Sequence, residues 1–261
     1  MGQARFRHLY RGNAVMPLTY IPFQFPGVLN VACAFTGRSF GNVSLDFAAR
    51  EQAPSIWEKT VQVRERLAPV FGVQAFAEVH QVHGVHTVFE PEAQIPGVPA
   101  RIDADGMATT RPGLALMVKT ADCQPILIAH ESGRYIMALH AGWRGNRQDY
   151  PRLAVLEFCE RYGLNASELW AVRGPSLGPA ASEFTNFDAE WGAEFQRWYD
   201  GKNMDLWALT RDQLASAGLL PRRILGLDIC TYANSGEYFS YRQFRRNGLA
   251  DGRQASLTWI R

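Results

Sequence analysis

The sequence predicts a single domain of the α+β class with mixed sheets, on three observations. Three short, continuous apolar runs crowd the middle of the chain: LALMVKTA (114–121), PILIAH (125–130) and YIMALHA (135–141). Runs of that length fit strands buried on both faces. Helical periodicity follows at 151–163, 185–200 and 205–218, with strand-like LWAVRG (169–174) and RILGLDI (223–229) among or after it. No repeat, linker or low-complexity tract divides the 261 residues, and a chain this long buries a substantial core.

Taken in order, residues 1–25 read as a weakly ordered N-terminal extension and 26–261 as the domain, with Met16 as an alternative start. The opening MGQARFRHLYRGNAVMPLTY is basic but has no apolar core behind it, so a secretory signal is not expected. VLNVACAFT (28–36) reads as a β-rich start that turns at Gly37 and Gly41. Residues 55–70 suit a helix capped by Ser55, with Trp57, Val61 and Leu67 facing the core. AFAEVHQVH (75–83) reads as a strand ending at Gly84, and the helix at 205–218 stops at Gly218. Strand ends therefore gather Gly, Asp, Cys and His, which is where chemistry is to be sought.

Composition removes several classes. Hydrophobic residues at 47% and charged residues at 20% fit a globular protein and argue against disorder. A formal charge of +2 is too mild for a nucleic-acid footprint. No apolar run approaches the roughly 20 residues that span a bilayer, so no membrane partner is expected. The four cysteines are dispersed and lack the density of a disulfide scaffold, which points to a reducing, cytoplasmic setting. A cysteine with a role here is then a ligand or a nucleophile. No heptad or spare apolar stripe is left over, so the expectation is a monomer.

Two candidate ligands end neighbouring strands in KTADCQPILIAHESGRYIMALHAGWRG: Cys123 and His140, separated by one strand and the Glu131–Arg134 turn. His83 stands before Gly84 at the end of a third. In an extended HQVHGVH segment His80 and His83 cannot both face one site without a bend, and the glycine favours His83. One cysteine and two histidines are three zinc ligands, the number a catalytic site uses when its fourth position stays open. The cysteine would bind as thiolate. Spacing alone contains no CxxC-type motif, and reads equally as a buried thiol with two satisfied histidines.

The motifs around these residues resemble the laccase-domain family of purine nucleoside phosphorylases, formerly called polyphenol oxidases or multicopper-oxidase-like proteins. The matching stretches run from FTGRSFGNVS (35–44) to Gly252-Arg253 and include QVHG (81–84), ADGMAT (104–109), TADCQP (120–125), HAGWRG (140–145), RGPSLGP (173–179), DLWAL (205–209), CT (230–231) and FSYR (239–242). The resemblance implies that His83, Cys123 and His140 hold zinc. It also implies a four-layer α/β/β/α sandwich, related to the cysteine-dependent domain of a bacterial deamidating toxin. Implied activities are phosphorolysis of adenosine, inosine, guanosine and methylthioadenosine, and deamination of adenosine. Two places depart from the family pattern. Asn42 stands where the family has a second turn glycine, a place Asn tolerates through left-handed angles. Leu177 and Ser182-Glu183-Phe184 differ around the glycine–proline motif.

Roles follow from chemistry. Zinc lowers the pKa of a bound water to about 7, which suits deamination at C6. A carboxylate would move the proton; Asp122 and Asp105 are the candidates, Asp122 being an orienting group if the strand persists. Arginine forks suit phosphate, and Arg38, Arg144 and Arg242 lie inside matched motifs, Arg144 best placed. Each reads equally as a structural ion pair. Tyr241 is a candidate to stack on the base, though an aromatic there is also a core residue. Gly174-Pro175 and Gly178-Pro179 shape a rigid loop, since prolines remove amide donors. Asn165-Ala166-Ser167 reads as a turn and helix cap rather than a glycosylation site.

Two rivals remain. A multicopper laccase needs more imidazoles than the six histidines present, although a lone Cu²⁺ suits the same site and would give incidental phenol oxidation. A metal-free cysteine hydrolase would use Cys123 as nucleophile and His140 as base.

Overall fold

The computed structural model describes residues 19–46 and 53–261. The first half of the described chain holds β1 (Tyr20–Phe23), β2 (Val31–Thr36), α1 (Pro54–Glu65), α2 (Leu67–Phe71), β3 (Ala75–Ala77), β4 (Thr87–Phe89), β5 (Gly106–Thr109), β6 (Leu114–Thr120) and β7 (Gln124–His130). The second holds β8 (Ile136–Ala141), α3 (Trp143–Arg147), α4 (Tyr150–Tyr162), β9 (Leu169–Arg173), α5 (Phe187–Glu190), α6 (Leu206–Ser216), β10 (Ile224–Gly226), α7 (Tyr241–Asn247) and β11 (Gln254–Ile260). β1 falls inside the stretch expected to precede the domain: it pairs antiparallel with β2, and Phe25 after it is fully buried. Residues 1–18, Met16 among them, lie outside the described residues.

Two mixed sheets result, ordered β1-β2-β11-β6-β3 and β10-β9-β7-β8-β5-β4. The three central apolar runs are β6, β7 and β8, and alternation along each strand sorts its side chains to two different covers. Leu114, Leu116 and Val118 of β6 join Leu127 and Ala129 of β7 and Ile136 and Ala138 of β8 between the sheets. Ala115 and Met117 instead pack under Leu67 of α2 and Phe76. Ile126, Ile128, Met137 and Leu139 pack under Tyr150, Val155 and Phe158 of α4 and Leu214 of α6. Helix, sheet, sheet, helix: the mixed α+β fold is the four-layer sandwich. Each fully buried aliphatic side chain in it contributes about 1.5–3 kcal/mol.

Three local expectations change. The helix expected over 55–70 is two: Pro54 opens α1, so Ser55 lies inside the first turn and does not cap it, and the buried face is Thr60, Arg64 and Leu67. Trp57 and Val61 are only half-buried. The expected helix at 185–200 shrinks to α5 and a 3₁₀ turn at Ala193–Trp198, because Gly192 takes φ 130° and Phe184, Phe187 and Trp191 collapse into a cluster with Met204 and Leu209. Asn42 does not supply the left-handed residue of its turn. Gly41 does, at φ 105°, while the Asn42 side-chain oxygen accepts from the amides of Ser44 and Arg253. At the expected cap, Asn165 precedes a 3₁₀ turn (Ala166–Glu168) and makes no side-chain capping bond.

β6 belongs to the first sheet and β7 to the second, so the three residues between them, Ala121-Asp122-Cys123, cross from one sheet to the other. Asp122 makes the crossing at φ 88°. That crossing opens the site.

Candidate metal centre

Antiparallel pairing of β7 with β8 sets Gln124 opposite Ala141 and Pro125 opposite His140, which carries Cys123 alongside the end of β8. His83 arrives by a different means from the alternation expected of a strand. β3 ends at Ala77, and His83 sits in a loop at φ 61°. His80 is left outside, bonded to Asp103 at 2.8 Å with nearly half its side chain exposed. One ligand atom each from His83, Cys123 and His140 then lies within 4.8 Å of the others. Cys123 Sγ is 3.7 Å from His83 Nε2, and the two imidazoles meet edge to face at 4.8 Å.

The buried carboxylate of Asp105 organises this group. Its Oδ1 accepts from His140 Nδ1 at 2.7 Å and from the His83 amide at 3.0 Å. Its Oδ2 accepts from the amides of Gly84 and Val82. One carboxylate thus bends the Val82–Gly84 loop and directs His140 Nε2 toward Cys123, the arrangement that orients metal-bound histidines. Burial would push the Asp105 carboxyl up, but the bond and charge of His140 hold it below the usual range.

Charge at the three donors is strongly coupled. Burial alone would raise the Cys123 thiol; the His140 imidazolium and hydrogen bonds from both histidines outweigh it and bring it down to about 6. For His140 burial acts downward, yet the Cys123 thiolate and the Asp105 bond raise it to about 9. Without an ion the pair is a thiolate beside the His140 imidazolium; binding a cation releases the imidazolium proton and gives one thiolate and two imidazole donors, which is zinc-type chemistry. Room exists beside it: a Cβ on Gly142 would lie 2.9 Å from Cys123 Sγ and 2.9 Å from His83 Cδ2, so only glycine leaves that space. The residues fit a metal ion.

This group lies in the lining of a cleft of about 690 Å³ that also includes Trp143, Arg144, Tyr241 and Arg242. That volume is ordinary for a small-molecule site. Arg144 extends over the Trp143 ring at 4.5 Å and makes no ion pair among the described residues. Arg242 donates to the Glu183 carbonyl, and Arg246 pairs with the Glu183 carboxylate. Tyr241 is exposed, with the Arg245 and Arg253 guanidinium groups 6.0 and 5.9 Å from its ring centroid.

Two expected site residues hold other places. Arg38 is not brought into the cleft: its guanidinium donates to the carbonyls of Ser235, Ala250 and Tyr238 and covers Phe239 at 4.5 Å. Asp122 lines the cleft, but its carboxylate accepts from Thr231 Oγ1 and from the Arg242 amide, each at 2.7 Å. It braces α7 and orients Arg242. The glycine–proline loop is a packing device, since a Cβ on Gly174 would lie 2.3 Å from the Phe35 ring, and the Leu177 amide donates to the Asp122 carbonyl. Sequence reasoning missed Gly142, Arg245 and Arg246, and weighed Asp105 only as a proton carrier. Gly142 of HAGWRG was the one available signal, since a glycine two residues after a candidate ligand permits close approach of the backbone.

A family model described as multi-copper polyphenol oxidoreductase laccase matches residues 32–261. A purine nucleoside phosphorylase of Xylella fastidiosa is 33% identical over 215 residues, 76% of this chain and 77% of its own. The purine nucleoside phosphorylase YfiH of Escherichia coli is 33% identical over 191 residues, 70% of this chain and 72% of its own. Among solved structures, YlmD of Geobacillus stearothermophilus superposes with a TM-score of 0.80 at 21% identity, covering 99% of this chain and all of that one, and so shares the fold. No helix among the described residues is long and apolar enough to cross a membrane.

Proposed function

This chain belongs to the multi-copper polyphenol oxidoreductase laccase family, and on that premise we propose that it is a zinc-dependent purine nucleoside phosphorylase with adenosine deaminase activity. Its substrates on this reading are adenosine, inosine, guanosine and methylthioadenosine, with inorganic phosphate. One observation carries the proposal: a thiolate and two imidazoles converge at a cleft rimmed by arginines. Among the described residues no second cluster of metal donors accompanies them, so a multicopper centre has no support. A single copper ion would find the same three donors acceptable. Four free thiols suit a cytoplasmic setting.

His83, Cys123 and His140 would hold the ion. When bound, it supplies Lewis acidity that stabilises charge developing on the substrate. Arg144 and Arg242 bind phosphate through paired charge-assisted hydrogen bonds and hold an oxygen toward the ribose C1′. In phosphorolysis that oxygen bonds to C1′ as the C1′–N9 bond breaks and the purine leaves with its electron pair. Tyr241 and Trp143 offer faces for the base. Asp105 keeps the Nδ1 proton of His140 in place, and Asp122 keeps Arg242 aimed.

The deciding experiment incubates protein of measured metal content with adenosine, with and without phosphate, and separates the products. Adenine and ribose 1-phosphate that require phosphate, together with inosine, are expected; neither product from zinc-loaded protein would defeat the reading.

A second reading has its own support. Cys123, His140 and Asp105 also form the nucleophile–base–orienter series of a thiol hydrolase. The two readings separate on chelation: a zinc enzyme loses activity, whereas a thiol hydrolase keeps it and is inactivated by iodoacetamide.

A further inference from the structure

Part of the cleft lining belongs neither to the metal group nor to the arginines. Asp46 lies there, at the end of a chain of alternating charges that starts in the core. Arg64, with no exposed side-chain surface, pairs with Glu78, which is 1% exposed. Glu78 holds Lys119 Nζ at 3.1 Å, and Lys119, 4% exposed, reaches Asp46 Oδ2 at 3.4 Å. Lys119 and Asp46 both line the cleft, but Lys119 is nearly buried, and Asp46, 43% exposed, is the member of the chain most open to it. Ser44 Oγ donates to the same Oδ2 at 2.8 Å, while Oδ1 has no hydrogen-bond partner among the described residues. Burying the three inner charges is costly unless each is paired. Their pairing places Lys119 and Ser44 on one Asp46 oxygen, and the carboxylate itself stands in the cleft lining.

An ionised carboxylate accepts hydrogen bonds and donates none. Burial would push the Asp46 carboxyl up, but Lys119 and the Ser44 hydroxyl hold it below the ordinary range, so it is ionised at neutral pH. It repels phosphate, which favours the arginine side. The part of the substrate that meets it must carry donors common to every substrate. Adenine has an exocyclic amine and no N1 proton, while hypoxanthine has the proton and no amine. Methylthioadenosine lacks the 5′-hydroxyl. The donors shared by all four nucleosides are the ribose 2′- and 3′-hydroxyls.

We propose that Asp46 reads the ribose of the substrate, its free carboxylate oxygen accepting from the 2′,3′-diol and so selecting ribonucleosides over deoxyribonucleosides. The inference rests on the nucleoside reading above and assigns a specificity-determining residue to it. Ser44 and Lys119 act as positioning residues that fix the carboxylate.

The test measures equilibrium binding of adenosine and 2′,3′-dideoxyadenosine to wild-type protein, Asp46→Asn and Ser44→Ala, beside adenosine turnover with phosphate. A hydrogen bond to a charged acceptor corresponds to a preference of about 10- to 100-fold for adenosine in the wild type. Asp46→Asn should bind the two ligands within a few-fold of each other, with metal content unchanged, and Ser44→Ala should fall between. If the wild type turns adenosine over and Asp46→Asn keeps the full preference, the inference is overturned and the phosphorylase reading stands. Asp46-dependent ribose preference without turnover would support the inference and defeat that reading. Binding of neither ligand overturns both.

Discussion

At the floor of the cleft Asp105 has both carboxylate oxygens engaged, by a ring nitrogen and three amides that join β5 and β8 to the His83 loop. At the rim Arg144 projects from the five-residue helix α3, and among the described residues its guanidinium lies over the Trp143 ring and makes no ion pair. The floor is rigid because strands and a buried carboxylate over-determine it. Arg144 keeps its charge available because no carboxylate among the described residues pairs with it, whereas Arg246 at the same rim is paired with Glu183. A metal site needs fixed donors, whereas an anion site needs cations not already committed, so the same cleft uses opposite design at its two levels.

The contrast is broken most completely by Cys123→Ala. That variant should lose metal retention and adenosine turnover together, read by metal analysis and product separation; phosphorolysis surviving without metal would overturn the assignment of the floor. Alkylation of the chelated protein sharpens the same point. The Cys123 thiol is brought down to about 6, so its thiolate dominates above that pH and is lost as pH falls through it. Burial pushes Cys33 up to about 12, which keeps it protonated throughout. Iodoacetamide should therefore modify Cys123 selectively at pH 7 and far less at pH 5, as mass spectrometry of the labelled peptides would show. Equal labelling at both pH values would contradict the thiolate.

Asp105→Asn tests the scaffold without touching a ligand atom. Metal affinity or activity should fall by about 10–100-fold, the usual cost of removing a group that orients a metal-bound histidine. Rim substitutions should do less and do it selectively. Arg144→Ala should raise the phosphate KM about tenfold, near the value of one charge-assisted hydrogen bond, while deamination changes little. Arg38→Ala should leave that KM alone and lower the melting temperature instead, because its guanidinium holds three carbonyls. A phosphate effect from Arg38 matching that of Arg144 would erase the distinction between clamp and rim.

Particular residues show why some of this was legible in advance. β6, β7 and β8 announced themselves as apolar runs because both faces of each are covered, and a strand buried twice carries its signal in every residue. The helix expected at 185–200 misled because its aromatics pack into a local cluster around Trp191, and Gly192 at φ 130° forbids a continuous helix. Nothing in the local pattern marked Arg64 for burial, yet its pairing with Glu78 places it in the core. Arg38 sat in a matched motif beside Arg144 and Arg242, and nothing local separated a clamp from a ligand-binding group.

By itself, then, the sequence determined the class of fold, the central strands, and the three residue types that converge, since these follow from local periodicity and from motifs spanning a few positions. Tertiary structure alone decided that Asp105 bends the His83 loop, that Gly142 leaves room beside the thiolate, and that Asp122 braces Arg242. Each of these depends on groups distant along the chain meeting at hydrogen-bond range. Such meetings are fixed by how two sheets pack and where the chain crosses between them, and no short window of sequence records that.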